Sequence, residues 1–197
     1  MRDLASGLAR FHRDVFPSKA NLFAHLATNH TPHTLFIGCS DARVVPELIT
    51  GSEPGDLFVI RTAGNLVPAY HPGTDGVAAS VEYAVAALGV SDIVVCGHSA
   101  CGAMTALAER RDLTGTPAIA DWLRYADASR ARTPATGDVS ALIRQNVLVQ
   151  LANLATHPSV AHALASRTVA LHGWVFDIAT GRIEDLDVTG FVSALEA

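Results

Sequence analysis

The sequence predicts an α/β domain with a central, mostly parallel β-sheet flanked by helices. Residues 35–39, 56–61 and 93–96 are short apolar runs with the length and composition of buried strands. Between the last two runs, residues 73–89 show the helical spacing of apolar side chains. A strand, a crossover helix and a further strand form a βαβ pattern, which predicts parallel strands covered on both faces.

The composition is that of one domain, residues 1–197, with 49% hydrophobic residues and so enough apolar material for a substantial core. The formal net charge is -5 with both signs interspersed, so binding to nucleic acid or to an anionic membrane is not expected. No stretch resembles a membrane span or a secretory signal. Three cysteines without disulfide spacing favour ligands or core residues in a reducing, cytoplasmic setting.

Two helices are predicted before the first strand. Residues 2–13 place three apolar side chains on one stripe, and a second helix begins at Pro17 and runs to about Asn29. Neither helix contains a chemical motif, so packing or subunit contact is the expected role.

The elements after the third strand complete the pattern. Helices are predicted from Gly102 to about Arg111, from Pro117, over residues 139–156 and from Pro158. A late strand over residues 168–176 turns at 177–181 into a hairpin strand over 182–187. Residues 129–138, rich in Arg, Thr, Pro, Ala and Gly, are predicted to be a surface connection.

Side chains that can bind a metal follow two of the predicted strands. Cys39 ends the first strand, and His98 and Cys101 follow the third. His98 and Cys101, three residues apart at the start of a predicted helix, can share one face of it. The parallel pattern places the end of the first strand near them, so the three side chains are expected to meet.

The three candidate ligands predict a zinc site. Two thiolates and one imidazole suit zinc by ligand softness and geometry, and three protein ligands leave the fourth tetrahedral position for water, as in catalytic sites. A structural site would need a fourth cysteine or histidine. Cys96 lies inside a strand and is better interpreted as a buried small hydrophobic residue. Asp41 is the protein alternative for the fourth position.

These residues resemble the β-class carbonic anhydrases. The resemblance covers nearly the whole chain, through the segments 39–44, 55–65, 80–85, 97–102, 146–147, 150–151 and 171–174. Its most specific part is the motif Cys-x-Asp-x-Arg at residues 39–43, paired with His-x-x-Cys at residues 98–101.

The resemblance implies a β-carbonic anhydrase-like fold and the reversible hydration of carbon dioxide to bicarbonate and a proton. It implies one zinc ion per chain, bound by Cys39, His98 and Cys101, with Asp41 and Arg43 as an adjoining dyad. Zinc lowers the pKa of a bound water from 15.7 to roughly 7, so hydroxide is available near neutral pH to attack carbon dioxide.

The resemblance also implies a substrate pocket and an oligomer. Phe58, Ala63 and Tyr83 match positions that line the family's apolar pocket, and Val44 is expected to add to its apolar wall. The building unit is expected to be a homodimer, alone or doubled to a tetramer, with the helices of residues 1–29 packing on the partner subunit.

The sequence departs from the family at several positions. His30 stands where plant-type members have a glutamine, and a surface role or proton transfer is open to it. Phe36 and Phe176 stand around Arg61 where members inhibited by bicarbonate have Trp and Tyr, so that inhibitory site is not expected. Thr62 and Ala100 replace residues that are polar in many members, which affects hydrogen bonds around the metal.

Two other functions fit the same ligands. A zinc hydrolase of this fold, acting on carbon disulfide or carbonyl sulfide, would differ in access to the pocket and not in metal chemistry. A zinc-stabilised binding module without catalysis is disfavoured by the open fourth position and by the dyad of Asp41 and Arg43.

Overall fold

The computed structural model describes residues 3–73 and 75–188, and within them it confirms the predicted α/β architecture. One sheet has the strand order β2-β1-β3-β4-β5. The strands are β1 (Thr34–Cys39), β2 (Leu57–Thr62), β3 (Asp92–His98), β4 (Ala170–Phe176) and β5 (Ile183–Leu186). The first four are parallel, and β5 pairs antiparallel with β4, as expected for the predicted hairpin.

Of the seven α-helices described after β1, five lie close to their predicted positions, whereas the first and the fifth were not predicted. The seven are α3 (Pro46–Thr50), α4 (Gly76–Glu82), α5 (Gly102–Ala108), α6 (Pro117–Trp122), α7 (Asp127–Arg132), α8 (Val139–Ala155) and α9 (Pro158–Ala165). A π-helical segment, Tyr83–Ala87, continues α4. Pro117 and Pro158 open their helices, since a proline at the first helical position removes an N–H that has no partner there. In the part of the chain that the structure describes, no helix is both long and apolar enough to span a membrane.

The N-terminal segment differs from its prediction. The chain divides between Thr31 and Pro32 into two compact units. In the first, α1 (Leu4–Arg10), a π-helical turn (Phe11–Val15) and α2 (Phe16–Leu26) follow without a break. A proline inside an α-helix clashes with the carbonyl four residues before it. Here Pro17 is the second residue of α2, and the wider π-turn just before that helix accommodates it, so the predicted break before Pro17 is wrong.

The predicted surface connection at residues 129–138 is also shorter than expected. Helix α7 continues to Arg132, so the irregular connection covers only residues 133–138. Ser129 is fully buried, and its hydroxyl donates to the side chain of Asn146 in α8. A tertiary contact thus holds this part of the polar segment in helical conformation.

Alternate residues of the strands lie on the two faces of the sheet and belong to different core clusters. Leu35 and Ile37 of β1 pack in the largest core cluster, with Val147 and Leu151 of α8. Phe36 points to the opposite face, where it packs with Val44, Val94, Cys96 and Phe176. Cys96 is therefore a buried core residue, as predicted, and burial raises the pKa of its thiol to about 12.

Two glycines allow α8 to lie close to the sheet. A Cβ on Gly97 would lie 3.0 Å from Cγ2 of Val147, and a Cβ on Gly173 would lie 3.1 Å from Cγ1 of the same valine. These residues occupy neighbouring strands, β3 and β4. The close approach brings the polar side chains of α8 within reach of the loop that follows β2.

Candidate metal centre

Cys39, His98 and Cys101 meet at the carboxyl edge of the sheet. Cys39 and His98 are the last residues of the adjacent parallel strands β1 and β3, and Cys101 precedes the first residue of α5. One ligand atom from each lies within 4.8 Å of the others, and all three residues are buried. The predicted convergence of the three side chains is therefore observed.

The imidazole of His98 is oriented as a metal ligand. Nδ1 lies 2.9 Å from the carbonyl oxygen of Ser99, which assigns the proton to Nδ1 and leaves the lone pair on Nε2. Nε2 is buried and has no hydrogen-bond partner among the described residues. An unsatisfied buried polar atom costs about 1–3 kcal/mol, so its position needs an explanation, and a bound metal supplies one.

The two cysteine sulfurs lie close together, and their contact shifts the two pKa values in opposite directions. The contact with Cys101 is the largest of several that lower the pKa of Cys39. The same contact, together with burial, raises the pKa of Cys101. Burial alone would lower the pKa of His98, but the adjacent Cys39 sulfur and the Ser99 carbonyl outweigh it and raise the pKa. The centre thus favours a thiolate beside the imidazole.

The donor set fits zinc. Two sulfurs and one imidazole nitrogen are the ligands of catalytic zinc sites with one open position. The residues that converge here are of these types, and Nε2 is the ring nitrogen of His98 that remains available to a metal, since Nδ1 bonds to Ser99. The residues present can therefore hold zinc.

Asp41 and Arg43 form the predicted dyad next to the three ligands. Oδ1 of Asp41 accepts from Nε of Arg43 at 2.9 Å and from its backbone N–H at 3.0 Å, while Oδ2 accepts from Nη2 at 2.7 Å. These contacts hold the pKa of Asp41 well below its ordinary value. Nη2 of Arg43 also donates to the carbonyl of Ala100, 3.1 Å away. The dyad therefore links the loop after β1 to the loop that contains Cys101.

Arg61 has a role that the sequence did not indicate. From β2, its Nε donates to the carbonyl of Cys39 at 3.1 Å. Its Nη2 donates to the carbonyls of Asp41 and Val44 at 2.6 and 2.7 Å. One guanidinium thus holds the backbone of the loop that presents Cys39, Asp41 and Arg43. This role could not be predicted from the sequence, because the three carbonyl groups belong to residues that are distant from Arg61 in the chain.

A second missed feature is a ladder of side-chain amides on α8. Asn146 donates to the carbonyl of Gly64 at 3.0 Å, and Gln150 accepts from the N–H of Val67 at 2.8 Å. Both amides are buried, and Nε2 of Gln150 donates to Oδ1 of Asn146 at 3.0 Å. The signal in the sequence was the spacing of Asn146, Gln150 and Asn153, which places three amides on one face of a helix.

The ladder holds a tight turn, Ala63–Asn65, beside the metal centre. Gly64 has φ 74°, and a Cβ there would lie 3.0 Å from that of Ala103, so glycine is required. The N–H of Gly64 donates to the sulfur of Cys39 at 3.4 Å. The turn thus forms one wall of the centre.

The residues predicted to line a substrate pocket lie in different places. Ala63 is in the turn beside Cys39. Phe58 and Tyr83 lie together, with ring centroids 5.9 Å apart. Val44 is fully buried in the cluster of Phe36, whereas Phe58 packs against the largest core cluster. Val44 and Phe58 thus pack in different clusters, and the assignment of the four residues to a substrate pocket stays a prediction.

Two further predictions concern His30 and the surroundings of Arg61. His30 belongs to the first compact unit, whereas the metal centre belongs to the second. Phe36 and Phe176 lie in one buried apolar cluster, so neither offers a hydrogen bond to the guanidinium of Arg61.

Ala100, in the loop between His98 and Cys101, has φ 53°, a left-handed backbone conformation that is unusual for alanine.

Comparison with known proteins gives one family. A family profile described as carbonic anhydrase matches residues 34–183. A carbonic anhydrase of Pseudomonas aeruginosa is 56% identical over 100% of this chain and 93% of its own length. The structure is similar to that of the β-carbonic anhydrase CcaA, with a TM-score of 0.88 and 40% identity over 93% of this chain and 86% of that one. It is also similar to a tetrameric β-carbonic anhydrase of Sordaria macrospora, with a TM-score of 0.79 and 35% identity over 93% and 94% of the two chains.

Proposed function

The chain belongs to the carbonic anhydrase family and is an enzyme of that class, and we propose that it catalyses the reversible hydration of carbon dioxide at a zinc ion. The zinc is bound, in this proposal, by Cys39, His98 and Cys101. The observation that carries the proposal is His98: a ring nitrogen of this residue lies within 4.8 Å of two cysteine sulfurs, and its buried Nε2 lacks a partner among the described residues.

The metal supplies one component of the chemistry. When bound, zinc lowers the pKa of a water ligand to roughly 7 and so supplies a nucleophile at neutral pH. The protein residues hold the reactants around it. The two sulfurs and the imidazole would hold the metal, and Arg43 holds the carboxylate of Asp41 through two of its nitrogens, so this carboxylate would leave a ligand position free for water.

Asp41 orients the attacking water. Its carboxylate is ionised at neutral pH, as that of an ordinary aspartate is, and the contacts with Arg43 lower its pKa further. It can therefore accept a hydrogen bond from the water but is too weak a base to remove its proton. Oδ2 lies 3.9 Å from Nε2 of His98, so the acceptor and the metal ligand face the same small volume. Holding the water in the direction of attack lowers the barrier, because less freedom of motion is lost in the reaction itself.

The substrate needs little further recognition. Carbon dioxide is small and apolar, so a dry volume beside the metal is sufficient to admit it. Ala63, in the turn next to Cys39, is close enough to the centre to contribute to this volume. Phe58 and Tyr83 are proposed to line its approach, completed by a partner subunit. Val44, which is buried in the cluster of Phe36, is proposed to add to the apolar wall.

The test combines metal analysis with stopped-flow hydration of carbon dioxide. The parental protein is expected to contain one zinc per chain and to be active, while Cys39→Ala, His98→Ala and Cys101→Ala lose most of both. Cys96→Ala is the matched control, because this thiol is buried in another cluster. Full zinc retention in all three ligand variants contradicts the proposal. Faster turnover of carbonyl sulfide or carbon disulfide than of carbon dioxide identifies the alternative substrate class.

We also propose that the active unit is a homodimer or a dimer of dimers. The similarity to a tetrameric β-carbonic anhydrase supports this assembly. Sedimentation velocity on the full chain measures it directly. The predicted packing of residues 1–29 on a partner is tested by deleting those residues, which should shift the protein toward monomers. If the shortened protein assembles with the same number of subunits as the full chain, that role is excluded.

A further inference from the structure

The peptide between Ala63 and Gly64 is held on both sides. Its N–H donates to the sulfur of Cys39 at 3.4 Å. Its carbonyl oxygen accepts from the indole Nε1 of Trp122 at 2.9 Å. A trans peptide is planar, so the direction of its N–H follows from the direction of its C=O. The indole contact therefore determines where the N–H points.

Trp122 is anchored in the protein and can impose this direction. It ends helix α6, and its side chain packs against the cluster that contains Cys39, Cys101 and Met104. Its ring makes an edge contact with Tyr125 at 5.2 Å between centroids. The following residue, Leu123, is buried in the same cluster. The indole is thus fixed by the core around the two ligand sulfurs.

The next peptide along the turn is fixed independently. The carbonyl of Gly64 accepts from Asn146, which itself accepts from Ser129 and Gln150. These two acceptor contacts assign the orientation of the Asn146 amide. Asn146 therefore constrains one side of Gly64, and Trp122 constrains the peptide on the other side. Without the indole, the peptide before Gly64 has no side-chain donor among the described residues to orient it.

We propose that Trp122 is a positioning residue for Cys39, because it aims the N–H of the Ala63–Gly64 peptide at the ligand sulfur. The inference rests on the proposed function in taking Cys39 as a metal ligand. A hydrogen bond to a thiolate stabilises its negative charge and reduces the electron density that it donates to a metal. A donor on the carbonyl oxygen polarises the same peptide and strengthens its N–H as a donor.

The test uses Trp122→Phe in the full-length protein, loaded with cobalt in place of zinc. Phenylalanine keeps an aromatic ring in the half-buried site but removes the indole N–H. The sulfur-to-cobalt charge-transfer absorption is expected to move to longer wavelength, because the sulfur becomes a stronger donor. Loss of a group that orients a metal ligand typically costs about tenfold to a hundredfold in metal affinity or activity, and a loss in this range is expected by competition with a chelator.

Trp174→Phe is the matched control. Trp174 packs with Phe36, 6.4 Å between ring centroids, on the other face of the sheet. The Trp174→Phe variant is expected to have the same sulfur-to-cobalt absorption and the same metal affinity as the parental protein. An unchanged spectrum and affinity in Trp122→Phe overturns the proposal. An equal change in both variants also overturns it, since the effect would then reflect general loosening of the fold.

The spectrum also separates this inference from the proposed function. If the parental protein shows the sulfur-to-cobalt absorption but does not hydrate carbon dioxide, the proposed activity fails, and the shift in Trp122→Phe still decides the role of the indole. If the parental protein shows no such absorption, both the metal assignment and the role of Trp122 are overturned.

Discussion

Oδ2 of Asp41 lies 3.9 Å from Nε2 of His98, and it accepts a hydrogen bond from Nη2 of Arg43 at 2.7 Å. A carboxylate this close to a metal ligand can either orient a water or bind the metal itself. The arginine decides between these states, because a bidentate pair with a guanidinium is strong and directional.

Replacement of either member of the dyad is expected to reduce activity without removing the metal. Asp41→Ala should keep near-stoichiometric zinc, since three ligands remain, and should lose most activity. Arg43→Ala should also lose activity, because the released carboxylate can take the fourth position on the metal. A fall of about tenfold to a hundredfold is expected in each. Zinc content and hydration rate should be measured on the same samples, with Asp185→Ala as a control on β5. Near-parental turnover in both variants would show that the dyad is only structural.

Inhibition by bicarbonate is expected to be simple and non-cooperative. Arg61 already donates to the carbonyls of Cys39, Asp41 and Val44, and the neighbouring phenylalanines cannot add hydrogen bonds to a bound anion. Initial rates measured over a range of bicarbonate concentrations test this. A steep, cooperative loss beyond ordinary product inhibition would mean that Arg61 leaves these carbonyls to bind the anion.

Ala100→Asn is expected to stabilise the protein. Ala100 is exposed and has φ 53°, a conformation that costs an ordinary residue roughly 1 kcal/mol and that asparagine tolerates better. The free energy of unfolding should rise by a few tenths to about 1 kcal/mol in urea titrations. Ala131→Asn, at an exposed position in the right-handed helix α7, should instead lower it slightly. The prediction is contradicted if both substitutions change the free energy of unfolding in the same direction.

Asn146→Leu is expected to be strongly destabilising. The substitution leaves the Ser129 hydroxyl, the Gln150 amide and the Gly64 carbonyl without their partner in a buried site. Each unsatisfied group costs about 1–3 kcal/mol, so a loss of roughly 3 kcal/mol or more is expected. Gln145→Leu, next to it on the same helix but outside the ladder, should cost far less. Comparable unfolding midpoints for the two variants would show that the ladder contributes little.

The ion pair between Arg144 and Glu184 is expected to add a small, pH-dependent stability. Nε of Arg144 lies 2.8 Å from Oε1 of Glu184, and this contact lowers the pKa of the glutamate. A carboxyl group with a lowered pKa stabilises the folded protein when the pH is above the pKa of the same group in the unfolded chain. This stabilisation is lost as the pH falls through the pKa in the folded protein. The pair is exposed, so about 0.2–1 kcal/mol is expected.

Urea titrations of the parental protein and Glu184→Gln test this contribution. The difference in free energy of unfolding should be present at pH 6 and should shrink as the pH falls below about 4. High salt should reduce it at pH 6 because exposed pairs are screened. A difference that grows on acidification would contradict the assignment.

Much of the fold and the ligand set could be predicted from the sequence, because both follow from local patterns. Apolar runs and helical spacing identified the strands and most helices, and Pro117 and Pro158 marked helix starts. The meeting of Cys39 with His98 required only that parallel strands end at the same edge of a sheet. The same local rules were wrong where a π-turn accommodates Pro17 and where Ser129 bonds to Asn146.

The support around the ligands was decided only by the tertiary structure. Trp122 reaches Ala63 across 59 positions of the chain, and Asn146 reaches Gly64 across 82. Each contact joins a side chain to one backbone atom, and its existence depends on the direction of that peptide and on how closely a helix approaches the sheet. Neither quantity is set by the residues next to it in sequence. The sequence by itself therefore determined which atoms can bind the metal, and the packing of α6 and α8 determined how those atoms are held.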